Sequence, residues 1–127
     1  MLAVRDIQAY LSKFQKDMNW EISEENYKES KASLLHNYML LTTEVSEVAE
    51  EFRSIFNKTY RMVNNDGLNE EDAFKIAKDL HKENIGKELS DCIAYLVKFA
   101  NYLDIDLEDS FYKKMEEVKL RVNKDQR

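Results

Sequence analysis

Apolar and polar positions alternate along this chain with a period of three to four residues, which is the spacing of amphipathic helices. The pattern covers five segments, at about residues 2–18, 30–60, 69–81, 82–102 and 107–122. The clearest break runs from Asn64 to Gly67, and Asn69 followed by Asp72 has the form of a helix N-terminal cap. Residues 19–29 form a polar connection and residues 103–106 a turn. The pattern predicts an all-α fold, a bundle of four to five helices in a single domain that covers residues 1–127.

Composition supports the helical class and limits the partners. The chain has 127 residues, no proline, two glycines and a net charge of −6. Such a charge disfavours nucleic acid polymers and anionic membrane surfaces. Cys92 is the single cysteine, so an intrachain disulfide is excluded. No apolar run approaches the roughly 18 residues of a membrane span, and Arg5, Asp6 and Lys13 interrupt the place of a signal peptide. We therefore expect a cytoplasmic protein.

Two acidic couplets occupy matching positions on two of the helical segments. Glu44 lies about 85° and Glu47 about 145° from the centre of the apolar stripe of their helix. Glu88 and Asp91 have nearly the same offsets from the stripe of the later helix. The first stripe contains Leu34, Tyr38, Leu41, Val45, Val48, Phe52, Ile55 and Phe56, and the second contains Ile85, Leu89, Cys92, Ile93, Leu96, Phe99, Ala100 and Leu103. If the stripes pack as antiparallel neighbours, the four carboxylates converge along one border.

Convergence of these carboxylates requires a counter-ion or protons. Two unit charges about 6 Å apart repel by about 3 kcal/mol at an effective dielectric constant of 20. An oxygen-only ligand set suits Mg²⁺ or Mn²⁺ better than Zn²⁺. The alternative is a solvated acidic flank, because 35% of the residues are charged, and the chain would then be a non-catalytic helical interaction module. A di-iron bundle is not favoured, since it uses Glu-x-x-His on two helices.

A family resemblance rests on the amino-acid sequence around the two acidic couplets. The matching stretches are Leu-Leu-Thr-Thr-Glu-Val-Ser-Glu-Val-Ala-Glu-Glu-Phe at 40–52, Glu-Leu-Ser-Asp-Cys-Ile-Ala-Tyr-Leu at 88–96, Ala-Asn-Tyr-Leu-Asp-Ile-Asp-Leu at 100–107 and Lys-Lys-Met-Glu at 113–116. Over most of residues 34–121 the chain resembles the all-α nucleoside triphosphate pyrophosphohydrolases, the MazG-like and dUTPase/dCTPase-like superfamily. It departs from the short family form by an inserted segment around residues 58–82.

The resemblance implies an activity and a set of metal ligands. Glu44, Glu47, Glu88 and Asp91 would bind Mg²⁺, with Mn²⁺ as an alternative, and Glu47 would also orient or deprotonate the attacking water. The implied reaction is hydrolysis of a nucleoside triphosphate at the α-phosphorus to a monophosphate and pyrophosphate. Relatives assemble as dimers or tetramers, so a homodimer or homotetramer is expected.

The resemblance also implies contacts to the substrate. Asn101 and Lys114 match the asparagine and the downstream lysine of the family pattern, and Lys98 lies on the helix side of Glu88 and Asp91. Trp20 and His36 precede the first couplet, where relatives hold the base. Three of these residues have an ordinary alternative, which is packing for Trp20, a solvated surface for Lys98 and a surface or interface position for His36. Glu51 is a further candidate to bind or support the cation or is a solvated glutamate, and the sequence assigns no role to His81.

Overall fold

Four helices make up the described part of the chain. The structure, a computed structural model, describes residues 3–125, with side chains up to residue 121. The helices are α1 (Val4–Asp17), α2 (Tyr27–Asp66), α3 (Glu70–Tyr102) and α4 (Leu107–Asp125). No strand occurs within residues 3–125, which confirms the all-α prediction. Residue 2, where the first helix was predicted to begin, lies outside the described residues. None of the helices described is both long and apolar enough to span a membrane; the cytoplasmic location stays a prediction.

Helix α2 begins three residues before its predicted start. The side-chain oxygen of Asn26 accepts a hydrogen bond from the backbone N–H of Glu29 at 2.8 Å, and its carbonyl accepts one from Ser30 at 2.9 Å. Asn26 is thus an N-cap, which satisfies a backbone donor that the first turn of a helix leaves unpaired. The predicted polar connection is correspondingly shorter, because its last residues belong to the first turn of α2.

The turn between α2 and α3 confirms the predicted break and cap. Gly67 has a φ of 73°, a left-handed conformation that glycine adopts without a side-chain clash. The Asn69 oxygen accepts a hydrogen bond from the N–H of Asp72 at 2.9 Å, and its amide donates to the Asp72 carboxylate at 2.8 Å. Three residues therefore suffice to reverse the chain between two long helices.

Helix α3 is continuous where two helices were predicted. The boundary proposed between His81 and Lys82 does not exist, and α3 runs for 33 residues from Glu70 to Tyr102. No proline or turn sequence stands at this position, and Gly86 lies within the helix, where a single glycine is tolerated at a cost of about 1 kcal/mol. The sequence placed a boundary there without a breaker to cause it.

Contacts along the chain cluster into two compact units. We call Met1–Leu35 with Leu96–Arg127 the terminal unit, and His36–Tyr95 the central unit. Helices α2 and α3 contribute residues to both. The prediction that the chain forms a single domain stays a prediction.

A buried glutamine joins three elements of the terminal unit. The Gln8 amide donates to Asn101 Oδ1 at 3.1 Å and to the Ile105 carbonyl at 2.8 Å. Its own side-chain oxygen accepts the N–H of Leu107 at 2.9 Å, and the Asn101 amide donates to the Gln8 backbone carbonyl at 3.0 Å. Gln8 therefore binds α1 to the end of α3 and to the first turn of α4. Arg5 adds ion pairs to Asp106 at 2.9 Å and to Glu108 at 2.8 Å.

The central unit contains the antiparallel hairpin of α2 and α3. Ala73 and Ala77 on α3 are completely buried, and Ile55 on α2 is nearly so. Small side chains at such positions let two helix backbones approach closely. The hairpin thus places the carboxyl-terminal half of α2 beside the amino-terminal half of α3, and the acidic couplets lie farther from the turn.

Candidate functional site

Three of the four predicted metal ligands come together in the central unit. Glu44 on α2 and Glu88 and Asp91 on α3 each offer a carboxylate oxygen, and these oxygens all lie within 4.8 Å of one another. Glu44 and Glu88 are half-buried, whereas Asp91 is exposed. Glu88 and Asp91 lie three residues apart and so share one face of α3. The antiparallel hairpin brings that face beside Glu44, as the sequence analysis expected.

The charges in this cluster disturb one another. The pKa of Glu44 is raised above its ordinary value, first by burial, then by the negative charges of Asp91 and Glu88, and then by a hydrogen bond with Glu88. Such a hydrogen bond forms only while Glu44 is protonated, since two carboxylates can only accept. No positive charge is among the causes of the shift. Without a cation, the site therefore favours the protonated form of Glu44 more than a solvated glutamate would.

Cys92 and Tyr95 lie within the electrostatic reach of the cluster. Burial raises the pKa of the Cys92 thiol, and the charges of Glu44, Asp91 and Glu88 add to the effect. Burial and the charges of Glu44 and Asp91 likewise raise the pKa of the Tyr95 hydroxyl. Both groups keep their protons at neutral pH. Cys92 is thus not an activated nucleophile, and Tyr95 retains a hydroxyl that can donate a hydrogen bond.

Glu47 stands outside the group of three. It is exposed, and it is not one of the residues whose oxygens lie within 4.8 Å of one another. Its charge still contributes to raising the pKa of Glu44, as the smallest of the named causes. Glu47 lies about one turn beyond Glu44 on α2. A solvated side chain in that place is available to a cation or to a water molecule near the cluster.

The donor set fits a hard divalent cation. Octahedral Mg²⁺ binds oxygen at about 2.0–2.1 Å, so two of its ligand oxygens are about 3 Å apart when adjacent and about 4 Å apart when opposite. The carboxylate oxygens of the cluster lie within 4.8 Å of one another, and small side-chain rotations bring them to these distances. No sulfur or imidazole ligand belongs to this group, and oxygen ligands favour magnesium, calcium or manganese. Glu44, Glu88 and Asp91 could therefore hold a metal ion.

A histidine to which the sequence assigned no role lies on the same hairpin. His81 Nδ1 is 2.8 Å from Glu51 Oε2, and the two side chains are 13% and 22% exposed. The carboxylate of Glu51 can only accept, so Nδ1 carries the proton of this hydrogen bond. His81 Nε2 is buried without a hydrogen-bond partner among the described residues. Since α2 and α3 are antiparallel, the sequence signal was the spacing, with His81 seven residues before Glu88 and Glu51 seven after Glu44.

Two predicted substrate contacts line one cavity of the terminal unit. Lys98, Asn101 and Tyr102 border a space of about 460 Å³ together with Gln15 and residues of the 19–24 segment. Burial lowers the pKa of the Lys98 ammonium group below its ordinary value. Asn101 also makes the reciprocal hydrogen bonds with Gln8 described above, so part of its capacity holds α1 against α3.

The remaining predicted substrate contacts lie at exposed positions. Lys114 on α4 forms an ion pair with Glu117 at 3.2 Å. Trp20 is 53% exposed, and its ring packs edge-on against Phe14 at a centroid distance of 5.8 Å. His36 is exposed on α2 in the central unit. The substrate contacts predicted for Lys114, Trp20 and His36 stay predictions.

The fold and the cluster define a class of protein. An all-α protein with carboxylates converging from two helices has the usual means by which a helical bundle holds a metal ion. Comparison with known families names the class more closely. The family model of the MazG nucleotide pyrophosphohydrolase domain matches residues 32–124, and the chain belongs to this family. Neither curated proteins nor solved structures gave a significant match. The chain is accordingly assigned to the nucleotide pyrophosphohydrolases.

Proposed function

We propose that this protein hydrolyses a ribo- or deoxyribonucleoside triphosphate at the α-phosphorus, in the presence of Mg²⁺, to a nucleoside monophosphate and pyrophosphate. The observation that carries the proposal is the cluster of Glu44, Glu88 and Asp91 on the hairpin of a chain that belongs to the MazG family. A bound divalent cation would neutralise charge on the triphosphate as the transferred phosphoryl group becomes more negative. Mn²⁺ is the alternative ion.

Glu44, Glu47, Glu88 and Asp91 are the proposed ligands. The exposed carboxylate of Glu47 is also proposed to accept a proton from the attacking water. The oxygen of that water forms a new bond to the α-phosphorus, and the bond from the α-phosphorus to its bridging oxygen breaks. Pyrophosphate leaves with that bridging oxygen. Phosphoryl transfer depends mainly on position and charge, so no covalent nucleophile is needed, in agreement with the raised pKa of Cys92.

The proposed substrate contacts follow from the family pattern. Lys98 and Lys114 would bind phosphate oxygens, and Asn101 would contact phosphate or sugar. Trp20 and His36 would contact the base. The roles proposed for Lys98 and Asn101 are supported by the cavity that both residues line. For Lys114, a phosphate contact would replace its ion pair with Glu117.

The reaction can be tested with a panel of nucleoside triphosphates in Mg²⁺ and water labelled with ¹⁸O. We expect at least one substrate to give a monophosphate that carries the label and unlabelled pyrophosphate. Glu47→Gln and Asp91→Asn should remove the activity while the circular dichroism of the folded protein is unchanged. Glu50→Gln is the matched control, because Glu50 is an exposed glutamate of the same helix, 3.6 Å from Arg53.

Two results would contradict the proposal. Label in the pyrophosphate would place the attack at the β-phosphorus, and orthophosphate as product would place it at the γ-phosphorus. Absence of hydrolysis across the panel, with no stabilisation by divalent cations, would favour the non-catalytic acidic module instead.

The apolar surface of α2 supports a homodimer or homotetramer. The row formed by Tyr38, Val45, Phe52 and Phe56 is between 46% and 62% exposed. By contrast, Leu41 and Val48 are half-buried and Ile55 is buried. One half of the predicted stripe thus packs inside the central unit while the other half faces outward, and exposed apolar rows of this kind mark association surfaces.

Sedimentation velocity tests the association. We expect a species of two or four chains, and Phe56→Glu should shift it toward the monomer because it places a charge in the apolar row. Asn57→Glu adds the same charge at the neighbouring exposed position and should leave the assembly intact. A monomeric unaltered protein at micromolar concentration would refute this part of the proposal.

A further inference from the structure

The hydrogen-bonded residues Glu51 and His81 lie on the same faces of α2 and α3 as the acidic cluster. Seven residues turn a helix by about 700°, which is only about 20° short of two full turns, and advance it by about 10 Å. Glu51 therefore lies on the face of Glu44, two turns nearer the connecting loop. His81 lies on the face of Glu88 at the same spacing. The pair and the cluster thus form two successive contacts along one border of the hairpin.

These two contacts act in opposite directions. The carboxylates of Glu44, Glu88 and Asp91 repel one another, and rotation of α2 or α3 about its own axis would separate them. The same rotation would pull Glu51 away from His81, because the faces coincide. The 2.8 Å hydrogen bond between Glu51 and His81 is largely shielded from water. Shielding makes such a bond harder to replace by water, since a separated imidazole would leave both ring nitrogens unpaired.

The turn at 67–69 does not fix the rotation of α2 and α3 at the position of the cluster. Its three residues fix how far the helices slide along one another, but Glu44 lies 22 residues before the end of α2, at Asp66. Over that length, about 33 Å of helix, small twists in each helix accumulate. The hydrogen bond between Glu51 and His81 lies between the turn and the cluster, so it limits the rotation of both helices close to the cluster.

We infer that Glu51 and His81 form a positioning pair, which holds the faces of α2 and α3 that carry Glu44, Glu88 and Asp91 toward one another before a divalent cation binds. This inference rests on the proposed function, because it assumes that the cluster binds a cation. The pair contacts neither the cation nor the substrate. Its hydrogen bond replaces part of the ordering that the cation would otherwise have to impose on the hairpin, and so raises the affinity of the site.

Metal binding without substrate provides the test. Free Mn²⁺ is measured by electron paramagnetic resonance in a titration of the purified protein at pH 7.5. Glu51→Ala and His81→Leu remove the hydrogen bond from either side, and alanine and leucine both favour helix. Glu51→Gln keeps an acceptor for the His81 N–H and removes the charge. Glu50→Ala, at the adjacent exposed position, is the matched control.

We expect Glu51→Ala and His81→Leu each to weaken Mn²⁺ binding about tenfold, as loss of a supporting contact commonly does. The double variant should be no weaker than either single variant, because both changes remove one interaction. Glu51→Gln and Glu50→Ala should bind Mn²⁺ within about twofold of the unaltered protein. At saturating Mn²⁺, the turnover number of the single variants should return to that of the unaltered enzyme while their requirement for Mn²⁺ stays higher.

Other outcomes would overturn the inference in distinguishable ways. If Glu51→Gln loses as much affinity as Glu51→Ala while His81→Leu binds normally, Glu51 acts through its charge and the pair has no positioning role. If both single variants bind Mn²⁺ normally, the inference fails alone and the proposed function stands. If the unaltered protein binds no Mn²⁺, or binds it equally well as Glu88→Gln, the metal site itself is wrong and both proposals fail.

Discussion

Replacing Glu88 by glutamine should make the protein more stable without a cation and insensitive to Mg²⁺. Glu88 lies at the centre of the cluster, because it neighbours Asp91 on its own helix and its carboxylate lies within 4.8 Å of that of Glu44 across the hairpin. Glutamine has nearly the same shape and removes one negative charge. The variant therefore tests the charge of the cluster with little change in packing.

The size of the effect follows from the distances. Two unit charges 4.8 Å apart repel by about 0.9 kcal/mol at the dielectric constant of water and by about 3.5 kcal/mol at an effective value of 20. Glu88 takes part in two such pairs. Exposure of Asp91 to water reduces the repulsion, so the gain should fall near the lower figure, about 1–2 kcal/mol in all. For a chain of 127 residues this raises the melting temperature by about 4–7 °C.

Mg²⁺ should reverse the order of stability. A cation present at about 100 times its dissociation constant stabilises the native state by about 2.7 kcal/mol, or about 10 °C for a chain of this length. The unaltered protein should gain this stabilisation, and Glu88→Gln should gain little, since it has lost a charged ligand. The two melting curves are thus expected to cross between EDTA and excess Mg²⁺.

Differential scanning calorimetry at pH 7.5 measures both effects at fixed ionic strength and protein concentration. Glu83→Gln is the control on the same helix, because Glu83 is 87% exposed and lies 3.9 Å from Lys87. It should change the melting temperature by less than about 2 °C and keep the response to Mg²⁺. The reasoning is wrong if Glu88→Gln melts below the unaltered protein in EDTA, or if Mg²⁺ stabilises both proteins equally.

Three further predictions concern the scaffold. Gly67→Ala should lower the free energy of unfolding in urea by about 1 kcal/mol, since alanine is strained at a φ of 73° although no atom lies within 4 Å of its Cβ. Gly86→Ala, in the middle of α3, should instead raise the free energy of unfolding by about 0.5–1 kcal/mol, because alanine favours helix more than glycine does. A loss of stability in both variants would contradict this reasoning. Gln8→Leu should cost about 2–3 kcal/mol in the same assay, because it leaves the Leu107 N–H and the Ile105 carbonyl unpaired, and a cost below 1 kcal/mol would show that water replaces them. The pKa of Asp106 is lowered by the N–H of Asp109 and by Arg5, so the ionised carboxylate stabilises the protein fully above its ordinary pKa, and this stabilisation is lost as the pH falls through the lower folded value. The melting temperature of Asp106→Asn should therefore fall less between pH 5 and pH 2 than that of the unaltered protein. Equal falls in the two proteins would refute this prediction.

Local signals account for what the sequence could predict. The break at Gly67 and the cap formed by Asn69 and Asp72 depend on residues that are close in the chain, so both features can be predicted without a structure. The convergence of Glu44 with Glu88 and Asp91 was also accessible, because equal offsets from two apolar stripes become contacts once the stripes pack as antiparallel neighbours.

Features set by distant contacts were not accessible. Gln8 and Asn101 are 93 positions apart, and nothing near either residue indicates that they pair. The outward half of the α2 stripe could not be told from the inward half, because periodicity alone marks both as apolar. The contact between His81 and Glu51 depends on the register of α2 against α3. The incorrect boundary between His81 and Lys82 concealed that His81 and Glu88 share one continuous helix.

The distribution of charge on the hairpin argues that the cluster is more than a soluble surface. Three acidic residues of the central unit have a basic neighbour within 3.9 Å: Glu50 has Arg53, Glu83 has Lys87 and Glu51 has His81. Glu44, Glu88 and Asp91 have no ion pair among the side chains described up to residue 121, although Lys87 precedes Glu88 directly. No basic side chain among the described residues relieves the repulsion at this place, and two of the three carboxylates are half-buried. Unpaired charge costs more at half-buried positions than on a solvated surface, and a divalent cation bound to these carboxylates would relieve that cost.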